Sequence, residues 1–358
     1  MAERPRVYHV GRAGDVPGGM TQVLNAYLRW PFEHVTVDVI ESRGDPGDHV
    51  TALKRFARSL RRIRSIRRSG ERAVIVVHLS ERGSFVREGT LARYAARLGL
   101  PVIAHLHGSE FAVYEREHPT SVGSVLGVCA RVISLSDESS EISARHVGAD
   151  RVSLVPNAIP DGNGEAKQPT VVFGGVVSHR KGIDVLQEAW RDVTEDFPGW
   201  TLAIAGPVRD AHLVDASLPR TRFLGSVGHD DLMALLEGAA VAVLPSRDEA
   251  MPMFILEAMA RRACVISTTV GGIPAVLGED HGVLVPPGDA HALAAGLRRV
   301  LGDQGTRGTM AARGHERFLR SYSAEAVFPR VERIWLDAMG ITAETVSAAS
   351  DERADEAA

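Results

Sequence analysis

Short runs of apolar, β-branched residues recur along this chain, with helix-period segments between them. In the first half they are Val7–Val10, Val35–Ile40, Ala73–Leu79, Val102–Leu106, Val132–Leu135 and Val152–Val155. A turn-rich stretch, Asp161 to Pro169, interrupts the rhythm. It then resumes with Thr170–Phe173, Leu202–Ala205, Arg222–Leu224, Val241–Leu244, Cys264–Ser267 and Gly282–Val285. Strands buried on both faces need such continuous apolar runs, and strands that alternate with helices form parallel sheets. The pattern predicts an α/β architecture of two tandem doubly wound domains, over residues 1–162 and 168–324, facing a central cleft. A last helical pattern carries Phe328, Val331, Ile334 and Trp335 at helical spacing. It is expected to form a helix over about 325–340 that packs back on the first domain. The small, polar, acidic residues 345–358 read as a disordered tail.

Composition narrows the class. A length of 358 residues exceeds one ordinary core. Formal net charge is −4, which excludes a general nucleic-acid binder. Cys129 and Cys264 lie in apolar surroundings and read as buried free thiols of a reducing compartment. No signal-peptide core opens the chain and no run is long enough to span a membrane, so a cytoplasmic location is expected. Of 41 basic residues only Lys54, Lys167 and Lys181 are lysines, so each calls for a reason.

The strongest chemical signal is Glu249-Ala-Met-Pro-Met-Phe-Ile-Leu-Glu257, directly after the apolar run Val241–Leu244. It places Glu249 at a strand-end loop and Glu257 about two turns into the following helix, both able to face a crevice at the carboxyl end of a parallel sheet. The helix's first N–H groups, between them, can seat phosphate or sugar oxygens. Three further loops share this setting. Gly18-Gly19 precedes a helix and fits neither a dinucleotide fingerprint nor a P-loop; a flexible turn and an anion seat are equally open readings. Gly174-Gly175 leads to Arg180 and Lys181 at a helix start, where cations could neutralise a diphosphate or simply be solvated. His105 and His107 share one strand face. With no third ligand usefully spaced, a metal site is not expected; His105 reads as a satisfied core histidine and His107, at the strand end, as the functional candidate.

This set of segments resembles the family-4 retaining glycosyltransferases of the GT-B fold. The resemblance runs from Gly18-Gly19 through His107-Gly108, Pro156-Asn157, Arg180-Lys181-Gly182, Phe223-Leu224-Gly225, Glu249 to Glu257, and Gly271-Gly272 to Pro287-Gly288-Asp289. It implies metal-independent transfer of a hexosyl-type group from a nucleoside diphosphate sugar to a hydroxyl, with no cofactor. His107, Lys181 and Glu249 would act at the reacting centre. Gly18, Gly19, Gly175, Arg180, Ser226, Val227, Met253, Phe254 and Glu257 would bind the donor, Glu257 at its ribose and Ser226-Val227 at its base. Val176 stands where the family usually carries a second cation, and Arg180 could replace it. A sugar-nucleotide epimerase of the same fold, or a non-catalytic nucleotide-sugar-binding protein, are the alternatives.

Two features bear on the acceptor. Arg82, Ser84 and Arg87 fall in the loop expected after the run Ala73–Leu79, where an acceptor phosphate could sit. The segment Lys54–Arg72 sets Leu53, Phe56, Leu60 and Ile63 on one helical face amid arginines. Such a helix can lie on anionic lipid, or it can be an ordinary crossover helix. Membrane contact would suit a lipid-linked acceptor in cell-surface polysaccharide or glycolipid assembly.

Overall fold

A computed structural model describes residues 4–14, 19–43, 49–81, 83–108, 110–249 and 251–341. Gly18, Arg82 and the tail 345–358 lie outside them. The chain divides into two compact units, Met1–Ala158 with Val327–Ala358, and Ile159–Ala326.

In the first unit six parallel strands, β1 (Arg6–Gly11), β2 (Thr36–Glu41), β3 (Ala73–Leu79), β4 (Val102–Leu106), β5 (Arg131–Ser134) and β6 (Val152–Leu154), lie in the order β2-β1-β3-β4-β5-β6. Central β3 and β4 are buried at every position, which is why their sequences are apolar without alternation. The chain runs outward from β1 to β2, then returns to β3 and proceeds the other way. The order therefore reverses between β1 and β3, and ligands of open α/β sheets bind at the carboxyl ends of such a pair.

The helix His49–Ser69 is the crossover between β2 and β3. Its core face runs through Ser59, Ile63 and Ile66, while Lys54, Arg58, Arg61, Arg64 and Arg68 are exposed. The expected apolar stripe is thus rotated: Leu53 is 70% exposed, and Phe56 and Leu60 are half-buried against the core. The helix Ala324–Ala338 carries the chain back into this unit. Its Trp335 is fully buried, with ring centroids 5.2 Å from His9, 5.4 Å from Tyr27 and 4.9 Å from Phe32.

The second unit repeats the plan. Strands β7 (Gln168–Gly174), β8 (Thr201–Ala205), β9 (Thr221–Gly225), β10 (Ala239–Leu244), β11 (Cys264–Thr268) and β12 (Val283–Val285) lie in the order β12-β11-β10-β7-β8-β9, all parallel. The reversal falls between β7 and β10, and the loops leaving those two strands carry Lys181 and Glu249.

Candidate functional site

At the β7–β10 reversal the two loops lock together. The Arg247 N–H donates to the Arg180 carbonyl (2.8 Å), and Arg247 grips the Asp184 carboxylate through both terminal nitrogens (2.8 and 2.7 Å). This bidentate pair holds the Asp184 carboxyl below its usual range against the upward push of burial. Gly182 (φ +72°) faces Pro245, whose carbonyl oxygen would lie 1.9 Å from any Cβ there. Gly271 (φ +49°) faces Glu249 in the same way, at 1.6 Å, and the Gly272 N–H donates to the Glu249 carbonyl (3.3 Å). The two ends of the Pro245–Glu249 loop are therefore each approached by a left-handed glycine, Gly182 at Pro245 and Gly271 at Glu249.

Within this frame Lys181 Nζ donates to Glu249 Oε1, which also accepts from the buried Ser246 hydroxyl at 2.9 Å. Lys181 passes beside Gly175 (φ +149°), its Cε 3.9 Å from where a Cβ would stand. An ammonium has three donors, so Glu249 leaves two for other oxygens. Arg180 does not join the pair; its Nη1 donates to the Asp248 carbonyl at 3.0 Å.

The helix Met253–Ala260 begins at Met253, and Glu257 stands in its second turn, closer to its start than the two turns expected. Pro252 begins this helix late, because proline is accommodated where the chain enters a helix and not within it. The half-buried Met253 and the buried Phe254 are its first residues; the Phe254 ring packs over Gly174, where a Cβ would meet it at 2.4 Å. Glu257 is 5% exposed, and burial raises its carboxyl to about 7, with Arg261 opposing. His229 Nδ1 lies 3.9 Å from Glu257 Oε1, which brings the loop with exposed Ser226 and half-buried Val227 beside this carboxyl.

The first unit assembles two clusters at its own reversal. Half-buried His107 directly follows β4, and its N–H continues the ladder to the Leu79 carbonyl (2.8 Å). Its Nε2 lies 2.8 Å from His78 Nδ1, and His78 Nε2 lies 2.8 Å from His9 Nδ1. His105, the register partner of His78, has its ring centroid 4.1 Å from that of His107, tilted by 39°. Burial lowers all four imidazoles, His9 and His105 to about 3, and His78 and His107 well below the ordinary value. His78 supplies the third histidine that the sequence did not suggest, with the nitrogens of His78, His105 and His107 within 4.8 Å of one another. His78 Nδ1 and His107 Nε2 face each other at hydrogen-bond distance. His105 is also not the satisfied core histidine expected, since its Nε2 has no partner.

The second cluster corrects the placement of Ser84 and Arg87. They lie in the first turns of the helix Gly83–Arg97, not in a loop, and both bind the fully buried Glu88. Glu88 Oε1 accepts from Ser42 Oγ (2.8 Å), Arg87 Nε (3.0 Å) and Arg43 Nε (3.2 Å), and Oε2 from Ser84 Oγ (3.2 Å). Two partly exposed guanidiniums share one carboxylate, so the cluster carries a net positive charge at the sheet edge. Gly19 opens the helix Gly19–Arg29 at the carboxyl end of β1. Sequence reasoning missed His9, His78, Arg43, Glu88 and Ser246; for His9 and His78 the usable signal was period-two placement on strands whose pairing was unknown.

Two doubly wound parallel-sheet units, each with chemistry at its reversal point, define the GT-B class. Residues 168–303 match the model of the group 1 glycosyl transferases. Mycobacterium tuberculosis glycogen synthase is 29% identical over 57% of this chain and 52% of its own length. The putative teichuronic acid biosynthesis glycosyltransferase TuaC of Bacillus subtilis is 30% identical over 60% of this chain and 59% of its own. The chain thus spans only part of the curated relatives it matches. Sucrose-phosphate synthase from Thermosynechococcus elongatus shares the fold at TM-score 0.69 and 19% identity, covering 94% of this chain and 100% of that one. Anabaena HepE in complex with UDP and glucose does so at 0.68 and 16%, covering 92% and 98%. The chain thus has the GT-B fold, and its second unit is similar to the group 1 glycosyl transferases.

Proposed function

We propose that the protein is a retaining glycosyltransferase that moves a hexosyl-type group from a nucleoside diphosphate sugar to a hydroxyl acceptor, in assembly of a cell-surface polysaccharide or glycolipid. The observation that carries the reading is the Lys181–Glu249–Ser246 cluster at the β7–β10 reversal, with the buried carboxyl of Glu257 in the second turn of the helix that follows Glu249. Lys181 meets the charge that gathers on the departing diphosphate, and the first N–H groups of the helix at Met253 and Phe254 add to it. Glu257 takes the ribose hydroxyls and Glu249 orients the sugar. The bond from C1 to the phosphate oxygen breaks as the bond from the acceptor oxygen to C1 forms on the same face. The acceptor's proton passes to the departing phosphate oxygen.

No metal is needed in this scheme, because Lys181 supplies the cation. The Arg43–Glu88–Arg87 cluster with Ser84 suits an acceptor that carries a phosphate, as a lipid-linked sugar would. The UDP complex of HepE and the teichuronic acid biosynthesis in the name of TuaC support the same reading.

The test is a thermal-shift screen with nucleoside diphosphates, followed by release of nucleoside diphosphate from the matching sugar donors. A ligand at a hundred times its Kd adds about 2.7 kcal/mol, which should raise Tm by roughly 5–10 °C for a unit of this size. Transfer should persist in EDTA. No shift with any nucleotide together with no turnover of any donor would overturn the reading, and loss in EDTA reversed by manganese would overturn its metal independence.

A further inference from the structure

Four histidines of the first unit, His9, His78, His105 and His107, lie on one face of the sheet, and three of them are joined end to end. Each bond in the row from His9 Nδ1 to His78 Nε2, and from His78 Nδ1 to His107 Nε2, is 2.8 Å long. A neutral imidazole has one N–H and one lone pair, so a row of neutral rings has only two consistent proton patterns. In one, His9 and His78 donate outward from Nδ1, and His107 carries its proton on Nδ1. In the other, His107 donates inward from Nε2, His78 follows, and His9 keeps an N–H on Nε2.

The far end of the row chooses between them. His9 is 1% exposed, and its Nε2 has no hydrogen-bond partner. The ring beside it is Trp335, in an edge-to-face contact with centroids 5.2 Å apart, and the indole Nε1 is likewise buried without a partner. An indole nitrogen can only donate. The inward pattern would bury two unpaired donors, one on each of two contacting rings. The outward pattern leaves a lone pair on His9 in place of a second unpaired donor, in a ring that already contacts the donor-only indole.

We propose that His9 and His78 are positioning residues that fix the proton of His107 on Nδ1, so that His107 offers a hydrogen-bond donor and never a base. This rests on the reading of His107 as the histidine of the glycosyl-transfer site. The surroundings favour it: the charged groups acting on this row are the cation of Arg43 and its neighbouring histidines, so no carboxylate favours an imidazolium. A donor at this position holds a sugar or acceptor oxygen in place, and removal of the acceptor's proton is left to the departing phosphate.

Long-range 1H–15N correlation spectra of 15N-histidine protein at neutral pH read each ring's proton directly. His9, His78 and His107 should all be protonated at Nδ1. In His78→Phe the ring stays but the donor is lost, and His107 should redistribute between its two forms. Turnover should fall at least tenfold with donor KM within about twofold, and His78→Gln, which still donates, should recover most of both. A wild-type His107 protonated at Nε2 overturns the proposal, as does a His107 form unchanged by His78→Phe. Stoichiometric Zn2+ that moves the His78, His105 and His107 signals together would make this a metal site and also overturn it. The wild-type spectrum decides the proton positions even if a variant does not fold. If the outward pattern is found but no donor is turned over, the row stands and the glycosyl-transfer reading fails.

Discussion

Single residues decide most of the chemistry, and the three lysines show how. Lys54 lies exposed on a crossover helix. Lys167 reaches the carbonyls of Leu236 (3.4 Å), Glu237 and Arg261, fastening the ends of two helices, and burial lowers its ammonium. Lys181 pairs with Glu249. If Lys181 meets charge that grows as the glycosyl bond breaks, Lys181→Ala should lower kcat about a hundredfold or more and change donor KM little, as steady-state kinetics would show. Near-normal kcat in a folded variant would place the diphosphate elsewhere.

Glu257 gives a second test. Its folded pKa, about 7, lies above the ordinary 4.5, so between those pH values the native state holds more protons than the unfolded chain. Stability must therefore be lost as pH rises through this window, by on the order of 3 kcal/mol. Glu257→Gln removes that penalty and should raise Tm at pH 8 relative to wild type. It should also weaken nucleoside diphosphate binding by about 1.5–3 kcal/mol, because a charge-assisted hydrogen bond is gone. Thermal melts and calorimetry at pH 6 and 8 check both, and a lower Tm at pH 8 would contradict the burial argument.

At the scale of elements, loops at the β7–β10 reversal are shaped by glycine more than by side chains. Gly271→Ala puts a methyl 1.6 Å from the Glu249 carbonyl oxygen in a left-handed conformation. The loop must shift, so stability should fall by at least about 1–3 kcal/mol and activity with it. Denaturant melts that match wild type would show that the loop tolerates the change. The helix His49–Ser69 answers a different question. Its apolar residues Ile63 and Ile66 are already in the core, so membrane contact would rest on the exposed Lys54, Arg58, Arg61, Arg64 and Arg68, with Leu53, among the described residues, the one large apolar side chain exposed beside them. Such contact is electrostatic, worth about 1 kcal/mol per basic residue near an anionic surface. Co-sedimentation with phosphatidylserine vesicles should be strong at low salt and abolished near 0.5 M, roughly where the Debye length falls to a few ångströms. No binding at low salt would leave it a solvated crossover helix.

Across the whole molecule each unit carries one buried cysteine, Cys129 in the first and Cys264 in the second, with thiols pushed up to about 12 by burial. Neither should react until its own unit opens. A nucleoside diphosphate held by Lys181, Glu249 and Glu257 should slow labelling of Cys264 more than that of Cys129, as mass spectrometry of timed samples would reveal. Equal protection would mean that the units open together.

What the sequence alone determined was everything that depends on local pattern. The strands of the described residues were legible as apolar runs, clearest in β3, β4, β10 and β11, where burial on both faces demands them without interruption, and the Glu249 to Glu257 segment because a loop, a helix start and two carboxylates are contiguous there. Tertiary structure alone decided what depends on strand order and distant pairing. His9, His78 and His107 are far apart in the chain, and only the order β2-β1-β3-β4 makes them a row. Glu88 looks like any helical glutamate until Ser42 and Arg43 arrive from the end of β2. The face of the basic helix turned toward the core was set by the sheet beneath it, which accepted Ser59, Ile63 and Ile66 and left Leu53 in water. Periodicity states that a residue has a buried side; only the fold states what waits on that side.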